Sequence, residues 1–135
     1  MSCLFCKIIQ KEVPAENIYE DDELIVFLDI NPVNPGHALV VPKKHFDNFI
    51  ELPEDITASI FQKTKKIAEA IMRAVAADSF NLGVNNGGAA GQEIMHFHLH
   101  IIPRFQDDAI KMWPGKPYSE GEVKKVGEAI RKQLL

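Results

Sequence analysis

Three of the five histidines in this chain stand at alternate positions in one short run, His96-Phe97-His98-Leu99-His100. In an extended strand alternate side chains share a face, about 6.6 Å apart, so the three imidazoles line one side while Phe97, Leu99 and Ile101 take the other. Each imidazole brings two ring nitrogens that need partners, and a structural face would be served better by Thr or Val. The run therefore points to chemistry. Taken alone it leaves two kinds open: a zinc ion held by the histidines and activating water, or a neutral imidazole, with an ordinary pKa of about 6.5, acting as a nucleophile.

Asn85-Asn86-Gly87-Gly88-Ala89-Ala90-Gly91 lies directly ahead of the histidines. Backbone N–H groups free of side-chain bulk can turn toward anionic oxygens, which predicts a phosphate pocket beside His98. By itself the segment also reads as a glycine-containing hairpin turn. Cys3-Leu4-Phe5-Cys6 has metal-ligand spacing, but zinc needs four ligands and two cysteines supply half of them. The alternative is a pair of reduced thiols packed as small hydrophobes. No βαβ pattern follows, which argues against a redox pair.

The elements that must position these groups follow from periodicity. Residues 3–10 predict a short helix with Phe5 and Ile8 on one face, closed by Pro14. Residues 17–21 and 23–30 predict a hairpin in which Leu24, Val26, Leu28 and Ile30 face one way and Ile25, Phe27 and Asp29 the other. Residues 37–42 give a third strand, 80–84 a fourth and 94–104 a fifth that carries all three histidines. Ile56, Ile60, Thr64, Ile67, Ile71 and Val75 mark one long helix over residues 55–77. Ser119 and Glu122 form a capping box that opens a C-terminal helix over 119–135, with Val123, Val126 and Ile130 available for core or dimer packing. Residues 106–117, with Pro114, Gly115 and Pro117, read as a mobile segment. The sum is a single α+β domain, 1–135: a five-stranded antiparallel meander with one long helix, a short N-terminal helix and a C-terminal helix.

With 135 residues and 46% apolar content the chain can bury a core without disulfides or metal. Fifteen basic against nineteen acidic residues give a net charge of −4, the wrong sign for coating long nucleic acid. No run is long enough to cross a bilayer, and residues 1–10 lack a leader's basic flank and apolar stretch. The expectation is a cytoplasmic protein with reduced cysteines.

The run from His96 to Ile102, together with Asp29-Ile30-Asn31-Pro32 and Gly36-His37-Ala38-Leu39-Val40-Val41-Pro42-Lys43-Lys44-His45, resembles the histidine-triad (HIT) family of nucleotide-binding hydrolases and transferases, in its Hint-like branch. The resemblance implies a HIT-like fold, a homodimer joined through its sheets, and a purine, AMP-like ligand. It implies hydrolysis of nucleoside 5′-phosphate derivatives, phosphoramidates or dinucleoside polyphosphates, through nucleotidyl-His98, with no metal in catalysis. His100 would bind an α-phosphate oxygen and His37 would complete the hydrogen-bond chain behind it. Asp29 would hold the ribose, Phe5, Ile8, Phe27 and Ile30 the base, and Asn85, Gly91, Gln92 and Glu93 the phosphate side. Glu93 departs from the Ser common there; it can face solvent, or repel a polyphosphate tail while engaging an amine leaving group. Some relatives carry a structural Cys₂His₂ zinc, which matches Cys3, Cys6, His45 and His96. Trp113-Pro114-Gly115 is similar to a Hint segment that reaches the partner's active site. Two rivals remain: a non-catalytic nucleotide-binding module, and a metallohydrolase with zinc on His96, His98 and His100.

Overall fold

The computed structural model describes residues 3–135; Met1 and Ser2, part of the segment read for a leader, lie outside them. The elements are α1 (Leu4–Ile9), β1 (Asn17–Glu20), β2 (Leu24–Leu28), β3 (Ala38–Pro42), α2 (Glu54–Val75), β4 (Ser79–Gly83), β5 (Leu99–Arg104) and α3 (Glu122–Leu134). All strand pairs are antiparallel, in the order β1-β2-β3-β5-β4. The expected meander holds through β1, β2 and β3. There α2 carries the chain across to the far edge, and β5 returns between β3 and β4, so the histidine-bearing strand is an inner one.

Both faces of the sheet are covered, which explains why β2 and β3 read as nearly unbroken apolar runs. Leu24, Val26, Ala38, Val40, Leu99 and Ile101 pack beneath Ile60, Ile67 and Ile71 of α2. Ile25, Phe27, Leu39 and Val41 point to the opposite face, where Phe5 and Ile8 of α1 cover them. The alternation read for β2 is the alternation seen from Leu24 to Leu28, where the strand ends; Ile30, read on the Leu24 face, is exposed and borders the α1 side with Phe27 instead. Gly36 joins the two layers: its φ is +94°, and a Cβ there would sit 3.0 Å from Val75 and 3.2 Å from Pro103. Only glycine lets the loop ahead of β3 press against the end of α2.

Four expectations need correction. The fifth strand begins at Leu99, so His96 and His98 precede it. β3 pairs with β5 only from Ala38 to Val40. Further along, Pro42 has no N–H to offer, its carbonyl accepts from His96 Nε2, and the Phe97 N–H donates to Phe46 O. The Ser119 and Glu122 pair does form, Glu122 accepting from the Ser119 N–H at 2.9 Å and its Oγ at 3.1 Å. It closes a turn ahead of α3, however; Gly121, at φ +77°, stands in the cap position. No residue of α3 is buried, so its apolar stripe is not part of this chain's core. The segment expected to be mobile is pinned at its root, where Arg104 grips Asp108 at 2.8 and 3.1 Å and Asn34 reaches both Asp108 and Pro103 O.

Candidate active site

A cleft of about 370 Å³ opens on the α1 side of the sheet, within the size range of small-molecule sites. One end is apolar: Phe5 and Ile8 from α1, Phe27 from β2 and Ile30 just beyond it. Asp29 stands at the end of β2, and His98, His100, Asn85, Gly91 and Glu93 line the opposite part. Residues distant in sequence thus meet because α1 folds over β2 and β3, and β5 lies next to β3 in the sheet.

The hydrogen bonds fix which nitrogen of each ring carries a proton. The Val33 N–H donates to His37 Nδ1 at 3.0 Å, so that atom is an acceptor and the proton of His37 is on Nε2. His37 Nε2 then donates to His100 Nδ1 at 2.9 Å, which leaves His100 with its proton on Nε2. That Nε2–H is buried and has no partner among the described residues. His98 is set the other way round: its Nδ1–H donates to the His96 carbonyl at 2.8 Å, so its lone pair is on Nε2. The two rings are 4.9 Å apart. The site therefore presents one nucleophilic nitrogen and one unsatisfied donor side by side, the pairing that attack on an oxyanion-bearing centre requires.

Electrostatics keeps these rings neutral. Burial lowers the pKa of His98, against the opposing influence of the His96 carbonyl and Asp29. Burial also lowers His37. His100 is pushed down to about 4, by burial and then by His98 and His37 at its side, with Asp29 opposing. A neutral ring keeps its lone pair at pH 7. Phe5 stands edge-on to His98 with ring centroids 5.0 Å apart and shields it from solvent.

The glycine segment behaves differently from expectation. It folds into a 3₁₀ turn, Gly88–Ala90, and spends the N–H groups of Ala90, Gly91 and Gln92 on carbonyls inside the turn. The Gly87 N–H goes to Gln92 Oε1 at 2.8 Å. Gln92 does not line the cleft: its amide, 4% exposed, also donates to Asp47 O and Ile94 O. It ties the glycine turn to the loop after β3. The side-chain donors left for an anion in the lining are neutral, Asn31, Asn85 and His100. The charged residues there are both acidic, Asp29 and Glu93.

His96 takes no part in the cleft. Its Nδ1 lies 3.5 Å from Cys3 Sγ and 3.6 Å from Cys6 Sγ, and His45 Nδ1 lies 3.4 Å from Cys6 Sγ. The four ligand atoms fall within 4.8 Å of one another. Tetrahedral zinc, with bonds of about 2.3 Å to sulfur and 2.0–2.1 Å to nitrogen, sets its S and N ligands about 3.5 Å apart. His96 Nε2 donates to Pro42 O and His45 Nε2 to Asp47 Oδ1, so both rings turn the Nδ1 lone pair inward, as ligating histidines do. The donor set fits zinc. A metal on His96, His98 and His100 is ruled out by the same geometry, because His96 Nδ1 faces the cysteines and His98 Nδ1 holds a backbone carbonyl. Sequence reading missed Asp47 and the Val33 N–H, which orient His45 and His37. Only Asp47, two residues past a histidine, left a signal.

Comparison with known proteins matches residues 10–107 to the HIT domain. An uncharacterised HIT-like protein of Methanocaldococcus jannaschii is 47% identical over 92% of this chain and 91% of its own length. Adenosine 5′-monophosphoramidase of Schizosaccharomyces pombe is 38% identical over 99% of both chains. An adenylylsulfatase of Arabidopsis thaliana is 48% identical over 80% of this chain and 55% of its own length. Among solved structures, a HIT family protein from Bacillus subtilis, 36% identical, aligns over all of this chain and 99% of its own with a TM-score of 0.90. A zinc-bound histidine triad family protein from Mycobacterium smegmatis, 34% identical, aligns over 98% and 96% with a TM-score of 0.78.

Proposed function

Because this chain belongs to the HIT domain family, we propose that it is a nucleotide hydrolase that cleaves nucleoside 5′-phosphate derivatives at the α-phosphorus through a nucleotidyl-His98 intermediate. Relatives carrying monophosphoramidase and adenylylsulfatase names support the reaction class. The observation that carries the mechanism is the opposed protonation of His98 and His100 at the floor of one cleft.

In this reading the base lies among Phe5, Ile8, Phe27 and Ile30, and the ribose hydroxyls donate to Asp29. His98 Nε2 attacks phosphorus; the bond to the leaving group breaks, and that group departs with the electron pair and takes a proton from solvent. His100 Nε2–H donates to a non-bridging oxygen as charge builds there. The His96 carbonyl holds the Nδ1 proton of the ring, now cationic. Water then attacks phosphorus, the N–P bond breaks with its pair returning to Nε2, the water proton passes to solvent, and the nucleoside monophosphate leaves. Cys3, Cys6, His45 and His96 would hold zinc as a structural ion that anchors α1 and supplies no step. The exposed Phe80 and Leu82 on edge strand β4 support a homodimer joined along that edge.

The test is incubation with adenosine 5′-phosphoramidate and with a diadenosine polyphosphate, following AMP, and mass analysis of protein quenched during turnover. An adenylyl adduct on the peptide holding His98 is expected. AMP binding without turnover, by protein that carries its metal, would favour the non-catalytic module.

A further inference from the structure

Two neutral arrangements of the His37–His100 pair satisfy their mutual hydrogen bond. In the first, His37 Nε2–H donates to His100 Nδ1 and His100 keeps its proton on Nε2. In the second, both protons sit on Nδ1: His100 Nδ1–H donates to His37 Nε2, and His100 Nε2 becomes a bare lone pair that repels an anionic oxygen. One group decides between them. The Val33 N–H, 3.0 Å from His37 Nδ1, admits only the first arrangement, because the second would set two hydrogens against each other.

That N–H is carried by a loop with little to hold it. Asn31, Pro32, Val33 and Pro35 are exposed, so no buried side chain among them pins the turn. The loop's backbone bonds are local: Asn31 N–H donates to Asp29 Oδ1 at 2.8 Å, and His37 N–H to Asn34 O at 3.1 Å. Among the described residues, hydrogen bonds from residues 31–36 to more distant parts of the chain come from one group, the side-chain amide of Asn34. It donates to Pro103 O at 2.9 Å and to Asp108 Oδ2 at 3.1 Å. Both acceptors are themselves fixed. Pro103 is buried in β5, and Asp108 is gripped by Arg104 while accepting from the Phe105 and Ile110 N–H groups, each at 3.0 Å. Arg104 first, then those two N–H groups, hold the Asp108 carboxyl well below the usual carboxylate range, so it stays an ionised acceptor.

We propose that Asn34 and Asp108 are positioning residues for the reaction: by tying the Val33 turn to the end of β5, they fix the proton of His100 on Nε2 without touching the substrate. Only the kinetic consequence rests on the hydrolase reading; the proton arrangement belongs to the chain without ligand. An aspartate at position 34 would donate neither bond, and an alanine would leave the turn with its local bonds alone.

The experiment compares the unsubstituted protein with Asn34→Ala, both ¹⁵N-labelled at histidine and loaded with zinc, by long-range ¹H–¹⁵N correlation spectra that tell a protonated ring nitrogen from a bare one. His37 and His100 are each expected as the single Nε2–H form in the unsubstituted protein. In Asn34→Ala the Nε2–H fraction of His100 should fall at least about threefold. The specificity constant reports the free enzyme, so kcat/KM for adenosine 5′-phosphoramidate should fall by the same factor. Asp108→Asn loosens the same tie from its far end and should move both quantities in the same direction, which decides the matter should Asn34→Ala fail to fold. Lys63→Met is the control for general loosening: it removes ion pairs to Asp21 at 2.7 Å and Glu23 at 2.9 Å, and should lower the thermal midpoint with both rings unchanged. Folded Asn34→Ala with both rings still in the single Nε2–H form would overturn the proposal, as would the same tautomer change in Lys63→Met. A changed tautomer with kcat/KM intact would also overturn the positioning role. Absence of hydrolysis by the unsubstituted protein would count against the hydrolase reading instead, and the spectra would still decide what Asn34 does.

Discussion

At the scale of single residues the site rests on proton positions, and these make separable predictions. If His98 attacks as proposed, His98→Ala removes that nitrogen and is expected to reduce AMP release from adenosine 5′-phosphoramidate by about 10⁴ or more, with nucleotide binding retained in a titration of the variant. His100→Ala removes one donor to the developing charge, so its loss should be smaller, about 10²–10³ in kcat. Stopped-flow assays separate the two. His100 also has a signature independent of turnover. Its ring faces His98, His37 and Asp29, and its pKa of about 4 lies below the ordinary value of about 6.5 for an unfolded chain. Between these two pH values the unfolded chain binds a proton that the native ring refuses. The ring's contribution to stability is thus whole above about pH 6.5 and is lost as pH falls toward about 4. The ¹⁵N shifts of His100 should report a neutral ring down to about pH 4; a midpoint near 6.5 would contradict the buried environment drawn for it.

Among the elements, the loop between β2 and β3 is the one whose backbone the site cannot change. Gly36→Ala adds a Cβ against Val75 and Pro103 at a left-handed φ, and should cost about 2–4 kcal/mol in urea unfolding while lowering kcat through displacement of His37. Gly83→Ala is the control: nothing lies within 4 Å of its added Cβ, and its cost should stay under about 1 kcal/mol. How far sequence reached is also a matter of elements. α2 was legible because six residues recur at helical spacing over one buried face, and β2 and β3 because both their faces are covered. The alternation of His98 and His100 was legible too, since both share the cleft side. His96 shares that side too, against Phe5 and the cysteines of α1; what was not legible is that its ring leaves the cleft, because the group that turns it is the Pro42 carbonyl, 54 residues distant. Gln92 was read as a phosphate contact for the same kind of reason: its three partners belong to loops whose approach no local pattern encodes. The roles of His37 and Asp29 came through family resemblance, not spacing.

On the scale of the whole molecule, the sheet separates two cores of different dependence. The α2 side is a broad apolar cluster that needs nothing added. The α1 side is smaller, and the six-residue helix that covers it carries Cys3 and Cys6 at its start and first turn. A helix that short has little stability of its own, so zinc on Cys3, Cys6, His45 and His96 would be what keeps Phe5 and Ile8 over the cleft. Chelation, or Cys6→Ser, should then remove one zinc per chain, lower the thermal midpoint and weaken AMP binding tenfold or more. The far-ultraviolet circular dichroism should change little, since α2 and the sheet remain. Metal analysis, calorimetry and a binding titration on the same samples check the three together. Full AMP affinity and an unchanged midpoint in metal-free protein would show that α1 is held by its apolar contacts alone, with the cysteines packed as small hydrophobes.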